Sequence, residues 1–131
     1  MTDTMTVVEV ETDVPTAVAR IERTLQHLGI TLFARIDHAA GARAVGLELS
    51  DEVVLVFGDP AAGTLLMQVD PQVGLDLPLR MLVWTHGDRT AVGYRDPHRL
   101  DIDHAPASVR PVLDKMTGLL ERLARAAAED G

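Results

Sequence analysis

An aspartate and a histidine stand side by side where an apolar, strand-like segment gives way to small residues. Asp37 and His38 follow the segment 30–36 and precede the segment 39–42. An imidazole titrates nearer to neutral pH than other side chains, and an adjacent carboxylate can orient it or accept its proton. Asp37 and His38 are therefore candidate catalytic residues for acid-base or metal-assisted chemistry. The alternative is that Asp37 accepts a hydrogen bond from the backbone of its own turn.

A third acidic residue, Asp76, lies between two leucines, Leu75 and Leu77. An isolated carboxylate is too costly to bury, so a buried Asp76 must be paired, hydrogen-bonded or protonated. The functional hypothesis expects Asp76 and Asp37 to approach each other in one site. The alternative is that Asp76 caps the turn that precedes Pro78.

A glycine-flanked turn offers a possible anion site at the start of a short helix. Gly58 and Gly63 enclose Asp59 and Pro60, and backbone N–H groups at a helix start can cradle an anion. The segment lacks the Gly-Lys-Ser/Thr ending of a phosphate-binding loop, and the carboxylate would occupy the place of the anion. Capping of the helix by Asp59 is the favoured interpretation. Candidate ligand-binding residues are Asp37, His38, Asp59, Thr64, Gln68 and Asp76.

The residue types give little support to metal binding or to nucleophilic catalysis. The chain has no cysteine, so a metal site would need His, Asp and Glu. The histidines show neither HxH nor HExxH spacing; they are His27, His38, His86, His98 and His104. The remaining alternative is a metal site formed by His38, Asp37 and Asp76, if the fold brings these three side chains together. The sequence therefore predicts no metal and no cofactor, and it contains no nucleophile elbow around a serine.

The overall composition limits the partners. The chain has 131 residues, is 47% hydrophobic and carries a formal charge of −8. This charge repels phosphate backbones, which argues against nucleic acid as a partner. The start of the chain lacks the basic and apolar regions of a secretory signal, and no apolar run is long enough to span a membrane. We therefore expect a cytoplasmic protein that does not bind membranes.

The elements that must position these groups follow from hydrophobic periodicity and turn residues. The segments 7–11, 30–37, 53–57, 79–85 and 90–95 read as strands, and 53–57 looks buried on both faces. Helices are predicted from Asp13 to Gly29, after Asp59, and over about 106–127. The segment 38–42 is expected to be a loop and 86–89 a hairpin turn. The order β-α-β-β-α-β-β-α predicts one α+β domain over 1–131, with helices packed on an antiparallel sheet.

Four motifs in the middle of the chain resemble a known family. They are FARIDHAAGA (33–42), FGDPAAGT (57–64), LMQ (66–68) and GLDLPL (74–79). In this order they resemble the family catalogued as domain of unknown function 302, over about residues 7–100. The resemblance implies an α+β fold similar to the TATA-box-binding-protein-like group, no established activity, and a homodimer by analogy. Asp59 stands where Asn is expected in that pattern.

Three hypotheses for function remain open. The leading one is a small cytoplasmic binding or accessory domain that recognises a small molecule or a partner protein, with Asp37-His38, Asp59 and Asp76 around one cleft. The second is an enzyme that uses Asp37, His38 and Asp76 for acid-base or metal-assisted chemistry on a small substrate. The third is a structural dimerisation module.

Overall fold

The computed structural model describes residues 5–102 and 105–129 of the chain. His104, one of the histidines considered above, lies outside these ranges. None of the helices within them is both long and apolar enough to cross a membrane.

The strands and helices follow the predicted order, with one helix more. The strands are β1 Met5–Val10, β2 Thr31–Asp37, β3 Glu52–Gly58, β4 Leu79–His86 and β5 Arg89–Arg95. The α-helices are α1 Val14–Leu28, α2 His38–Ala44, α3 Pro60–Val69 and α4 Arg110–Ala128. Short 3₁₀ turns occupy Pro71–Asp76, Pro97–Arg99 and Ala107–Val109.

All strands belong to one five-stranded sheet of order β1-β5-β4-β3-β2. Each neighbouring pair is antiparallel. The predicted fold class, an α+β structure with an antiparallel sheet, is confirmed. Because β2 and β4 both run antiparallel to β3, these two strands point in the same direction, and this decides below which loops meet.

Local sequence signals correctly marked the ends of α1 and the β4-β5 hairpin. The side chain of Asp13 accepts a hydrogen bond of 2.9 Å from the backbone N–H of Thr16. The side chain of Thr16, followed by this N–H, holds the pKa of Asp13 below its usual value. Gly29 ends the helix with a φ of 71°, in the left-handed region that favours glycine. His86 pairs with Arg89 across the two-residue turn, where Gly87 has a φ of 65°.

The segment 38–42, expected to be a loop, is helical. It forms most of α2, and the Asp37 carboxylate caps this helix by accepting a hydrogen bond of 2.9 Å from the N–H of Ala40. Alanines are strong helix formers, and a capped first turn compensates for Gly41 in so short a helix. Gly41 by itself does not break this helix.

One face of the sheet is covered by α1 and α4. The main buried cluster joins Leu55 and Phe57 of β3 to Ile21 of α1 and Leu123 of α4. A second cluster gathers residues of α3, the 71–76 turn and the first half of α4 around Leu66. β3 was expected to be buried on both faces, but its alternate residues Val54 and Val56 are only half-buried. The face to which they belong contributes no residue to either cluster within 5–102 and 105–129.

Candidate functional site

A cleft of about 800 Å³ opens where the two buried clusters meet. Leu79, which contacts both clusters, forms part of its wall. The cleft lies at the sheet end formed by the start of β2, the end of β3 and the start of β4, and α3 and α4 contribute further walls. The antiparallel order brings these three strand ends together, since β3 ends where its two neighbours begin.

Glycines allow the segments around the cleft to pack closely. A Cβ on Gly58 would lie 3.5 Å from Cβ of Pro78, so the end of β3 passes close to the residue that precedes β4. A Cβ on Gly74 would lie 3.1 Å from Sδ of Met67, tighter than ordinary van der Waals contact. The contact at Gly58 is an ordinary van der Waals distance, so Gly74 is the glycine that lets this wall of the cleft pack closely.

The lining is mostly apolar with a cationic part. Its larger apolar members are Leu28, Ile30, Phe33, Met67, Leu77, Leu79, Met116 and Leu119. The charged members are Lys115 and Arg122 of α4 and Asp59 at the start of α3. Two cations and one carboxylate therefore line the cleft, in a chain whose net charge is −8. The cleft suits an apolar molecule with one negative group.

Asp59 and Thr64 line the cleft as expected, but their side chains already have partners in the chain. Asp59 Oδ1 accepts a hydrogen bond of 3.0 Å from the N–H of Ala61, and Thr64 Oγ1 donates one of 2.6 Å to the carbonyl of Pro60. Capping, the favoured interpretation of Asp59, accounts for its position. Both side chains keep acceptor capacity that a ligand donor can use.

Asp37 and His38 lie at the other end of the sheet. Asp37 pairs with Val53 in the β2-β3 ladder, whereas Thr31, at the cleft, pairs with Gly58. A strand rises about 3.3 Å per residue, so Asp37 is about 20 Å from the cleft end of β2. Both side chains are exposed, and neither lines the cleft. The alternative interpretation of Asp37, a hydrogen bond to its own backbone turn, is the one that the structure shows.

Asp76 and Gln68 are exposed and are not part of the cleft lining. Asp76 ends the 3₁₀ turn before β4, at the opposite sheet end from Asp37. The expectation that Asp37 and Asp76 approach each other is therefore not met. The cost of a buried carboxylate also does not arise, because Asp76 is at the surface. Within the described ranges, no three His, Asp or Glu side chains form a group that could hold a metal ion.

A histidine cluster that the sequence analysis passed over lies beside α4. His98 Nε2 is 2.7 Å from Oδ1 of Asp114, and its Nδ1 is 3.1 Å from Oδ1 of Asp96. Thr117 Oγ1 lies 3.2 Å from the same Nδ1. Carboxylate oxygens only accept, so both bonds form together when both ring nitrogens carry a proton. The protonated imidazole thus joins the 97–99 turn to α4.

The carboxylates shift the titration of this cluster. The hydrogen bond to Asp114, followed by the one to Asp96, raises the pKa of His98. The backbone N–H of His98 is the largest cause that lowers the pKa of Asp96. The cluster is at the surface and none of its members lines the cleft, so its geometry points to a structural link.

We expect this link to stabilise the fold more at acidic than at alkaline pH. A histidine whose pKa is higher in the folded than in the unfolded state stabilises the fold fully at pH values below its unfolded pKa of about 6.5. This stabilisation is lost as the pH rises through the pKa of the folded state. The His98 side chain is 35% exposed, so the effect stays below about 1 kcal/mol.

Urea unfolding of wild type and His98→Gln at about pH 5.5 and about pH 8.5 measures this effect. The stability difference between the two proteins should shrink at the higher pH. His27→Gln is the control, since His27 is exposed on α1 and no ion pair to it occurs among the described residues. An equal difference at both pH values would contradict the assignment.

Lys115 and Arg122 were missed as site residues, although the sequence carries a signal for them. Lys115 is the single lysine of the chain, and Lys115, Leu119 and Arg122 follow helical spacing on one face of α4. Which face of α4 meets the cleft depends on the packing of the helix on the sheet, so the spacing alone does not identify these residues as part of a site.

Comparison with known proteins gives a family and relatives. The sequence model of the family described as domain of unknown function DUF302 matches residues 6–126. Proteins of Brucella suis and Brucella abortus, each named fluoride-specific ion channel FluC 1, are 40% identical over 80 residues. The match covers 61% of this chain but 32% and 30% of those proteins, so the chain spans about a third of the length of these relatives.

A solved structure has the same fold. The crystal structure of an uncharacterized conserved protein DUF302 from Bacillus stearothermophilus superposes with a TM-score of 0.81 and covers 94% of this chain and 97% of that one. The sequence identity is 18%, so this likeness shows the fold alone.

Proposed function

The chain belongs to the family described as domain of unknown function DUF302, and on that premise we propose that it binds a small amphipathic anion in the cleft between α3, α4 and the sheet end. Such a molecule has an apolar body and one negatively charged group. The observation that carries the proposal is the mostly apolar lining with Lys115 and Arg122 as its cations.

The size of the cleft supports a small-molecule ligand. Ligand sites in proteins typically measure about 300–1,000 Å³ and combine apolar walls with a few polar groups that orient the ligand. At about 800 Å³, with Phe33, Met67 and Leu119 among its walls, the cleft is of this kind. Burial of the apolar body supplies most of the free energy of binding, at about 25 cal/mol per Å².

The charges that line the cleft favour one class of ligand. Lys115 and Arg122 attract an anion, while Asp59 and the net charge of −8 disfavour highly charged ones. A monocarboxylate with an apolar tail satisfies both conditions. The enzyme hypothesis has less support, because Asp37 and His38 lie at the sheet end opposite to Asp76 and share no cavity with it.

Thermal-shift and calorimetric titration with dodecanoate tests the proposal, with dodecanol and acetate as matched probes that lack the charge or the tail. At about 100 times its dissociation constant, a ligand adds about 2.7 kcal/mol, or about ten degrees for a chain of this length. We expect this shift with dodecanoate, a smaller one with dodecanol, and none with acetate.

Variants of α4 separate cleft binding from adsorption elsewhere. Gly118 lines the cleft, and a Cβ there meets nothing within 4 Å, so Gly118→Leu fills space without a clash. This variant should keep its stability and lose the dodecanoate shift, whereas Gly118→Ala should bind. Lys115→Gln and Arg122→Gln should each weaken binding by up to about tenfold, and Arg110→Gln, outside the lining, should not.

The proposal fails if dodecanoate does not bind, or if Gly118→Leu binds it as well as wild type. Fluoride is included as a separate probe, because the Brucella relatives are named as fluoride-specific ion channels. Binding of fluoride without binding of dodecanoate would likewise overturn the proposal of an amphipathic ligand.

A further inference from the structure

A second, smaller pocket lies between α1 and α4, next to the cleft. Its volume is about 230 Å³, and its lining is Arg20, Thr24, Arg122, Arg125, Ala126 and Glu129. Three arginines and one glutamate give this lining an excess of two positive charges, in a chain whose net charge is −8. Sites that hold a whole ligand typically measure about 300–1,000 Å³, so this pocket suits one small anionic group. We call it the arginine pocket.

The arginine pocket and the cleft are two ends of one groove between α1 and α4. Arg122 lines both cavities. On α1, Thr24 lines the pocket, and Leu28, one turn further along the same helix face, lines the cleft. On α4, Leu119 of the cleft and Ala126 of the pocket lie on either side of Arg122 along one helix face. A molecule that lies along this groove passes from apolar walls to arginines.

Two guanidinium groups of the pocket can bind an anion. Arg122 and Arg125 have no ion-pair partner among the described residues, although Glu129 lines the same pocket and Glu121 lies one turn before Arg125 on α4. Residues three apart on a helix have Cβ atoms about 5–6 Å apart, so one phosphate group can contact both side chains. A guanidinium group binds phosphate oxygens through two parallel hydrogen bonds, which favours phosphate over a single-point charge.

The third arginine prepares the pocket rather than binding the anion. Arg20 Nη1 donates a hydrogen bond of 3.1 Å to the carbonyl oxygen of Ala127. This carbonyl lies in the last turn of α4, where the negative end of the helix dipole repels an anion. The cation on this carbonyl offsets the repulsion, so the end of α4 does not prevent an anion from binding beside it.

We propose that the arginine pocket binds the phosphate group of an amphipathic phosphate monoester, whose apolar chain lies in the cleft. This inference rests on the proposed function and narrows its ligand class. A phosphate monoester carries a charge of about −1.5 to −2 at neutral pH. Asp59 disfavours such a charge inside the cleft, whereas the arginine pocket lies beyond Arg122 and has an excess of positive charge. The phosphate ester of a long-chain alcohol has an apolar end and an anionic end, as the groove has.

Calorimetric titration with dodecyl phosphate, dodecanoate and inorganic phosphate tests the inference, with each amphipath below its critical micelle concentration. Dodecyl phosphate and dodecanoate have tails of equal length and differ in the charged group. We expect dodecyl phosphate to bind at least about tenfold more tightly than dodecanoate, because the phosphate contacts Arg122 and Arg125 together. Inorganic phosphate, which lacks the tail, should bind at least about a hundredfold more weakly than dodecyl phosphate.

Variants of the pocket separate the two ends of the groove. Arg125 lines the pocket but not the cleft, so Arg125→Gln should weaken dodecyl phosphate about tenfold and leave dodecanoate unchanged. Glu129→Gln removes the carboxylate of the pocket and should strengthen the binding of dodecyl phosphate alone, by about threefold. Arg110→Gln, outside both linings, is the control and should change neither affinity. Gly118→Leu should abolish binding of both amphipaths, since it fills the cleft.

The outcomes distinguish this inference from the cleft proposal. If dodecanoate binds and dodecyl phosphate binds no more tightly, or if Arg125→Gln keeps the difference between them, this inference is wrong and the cleft proposal stands. Inorganic phosphate that binds as tightly as dodecyl phosphate would indicate a free oxyanion site and would also overturn the inference. If neither amphipath binds to the wild type, both proposals fail.

Discussion

Phe57→Ala is expected to lower the free energy of unfolding by about 3–5 kcal/mol, the largest single effect that we predict. Phe57 is fully buried in the main cluster between β3, α1 and α4. Its truncation removes apolar contacts and leaves a cavity that the surrounding strands and helices cannot fill completely. Chemical denaturation followed by far-UV circular dichroism measures the change.

Phe33→Ala is the matched control for this prediction. Phe33 has the same side chain, but it is 51% exposed at the bulge in β2 and lines the cleft. We expect a change in stability within about 0.5 kcal/mol, together with weaker binding of dodecanoate. Equal destabilisation by the two substitutions would contradict the assignment of the core to the helix-covered face.

Gly93→Val is expected to lower the free energy of unfolding by about 1–3 kcal/mol through overpacking. Gly93 is buried in β5, and a Cβ there would lie 2.7 Å from Sδ of Met5 and 3.0 Å from Cζ3 of Trp84. The methionine can move at small cost, but the indole ring must leave its place on the sheet face that α1 and α4 do not cover. Because Trp84 is the single tryptophan of the chain, its emission should therefore shift to the red.

Gly118→Ala is the matched substitution, with the opposite expected effect on stability. Gly118 lies inside α4, and a Cβ there meets nothing within 4 Å, so the change should stabilise by up to about 1 kcal/mol. Chemical denaturation compares the free energies of unfolding of the two variants. Destabilisation by both, or by neither, would show that the contacts of Gly93 do not decide its preference for glycine.

The cluster around His98 contains one contact that the order of residues in the chain predicts and one that it does not. Asp96 before Pro97 is a recognisable cap, and the structure shows its carboxylate accepting a bond from the N–H of His98. Asp114 lies 16 residues further along the chain, on a helix whose orientation relative to the turn follows from packing. A sequence pattern can locate the cap but not the second carboxylate.

Most of the local order, except the helix α2, was determined by the sequence alone. Asp13 and Gly29 mark the ends of α1, Gly87 marks the hairpin, and alternating or continuous apolar runs mark the strands, because these signals act over a few residues. The same is true of Asp59, whose capping bond spans two residues. Such interactions form wherever the segment lies in the fold.

Only the tertiary structure decided which of these groups meet. Asp37 ends β2 and Asp76 precedes β4, and since these strands run in the same direction, the two carboxylates lie at opposite ends of the sheet. The cleft instead joins Phe33 of β2 to Arg122 of α4, two residues distant in the chain. The physical reason is that side-chain spacing fixes the faces of an element, whereas strand register and helix packing fix its neighbours.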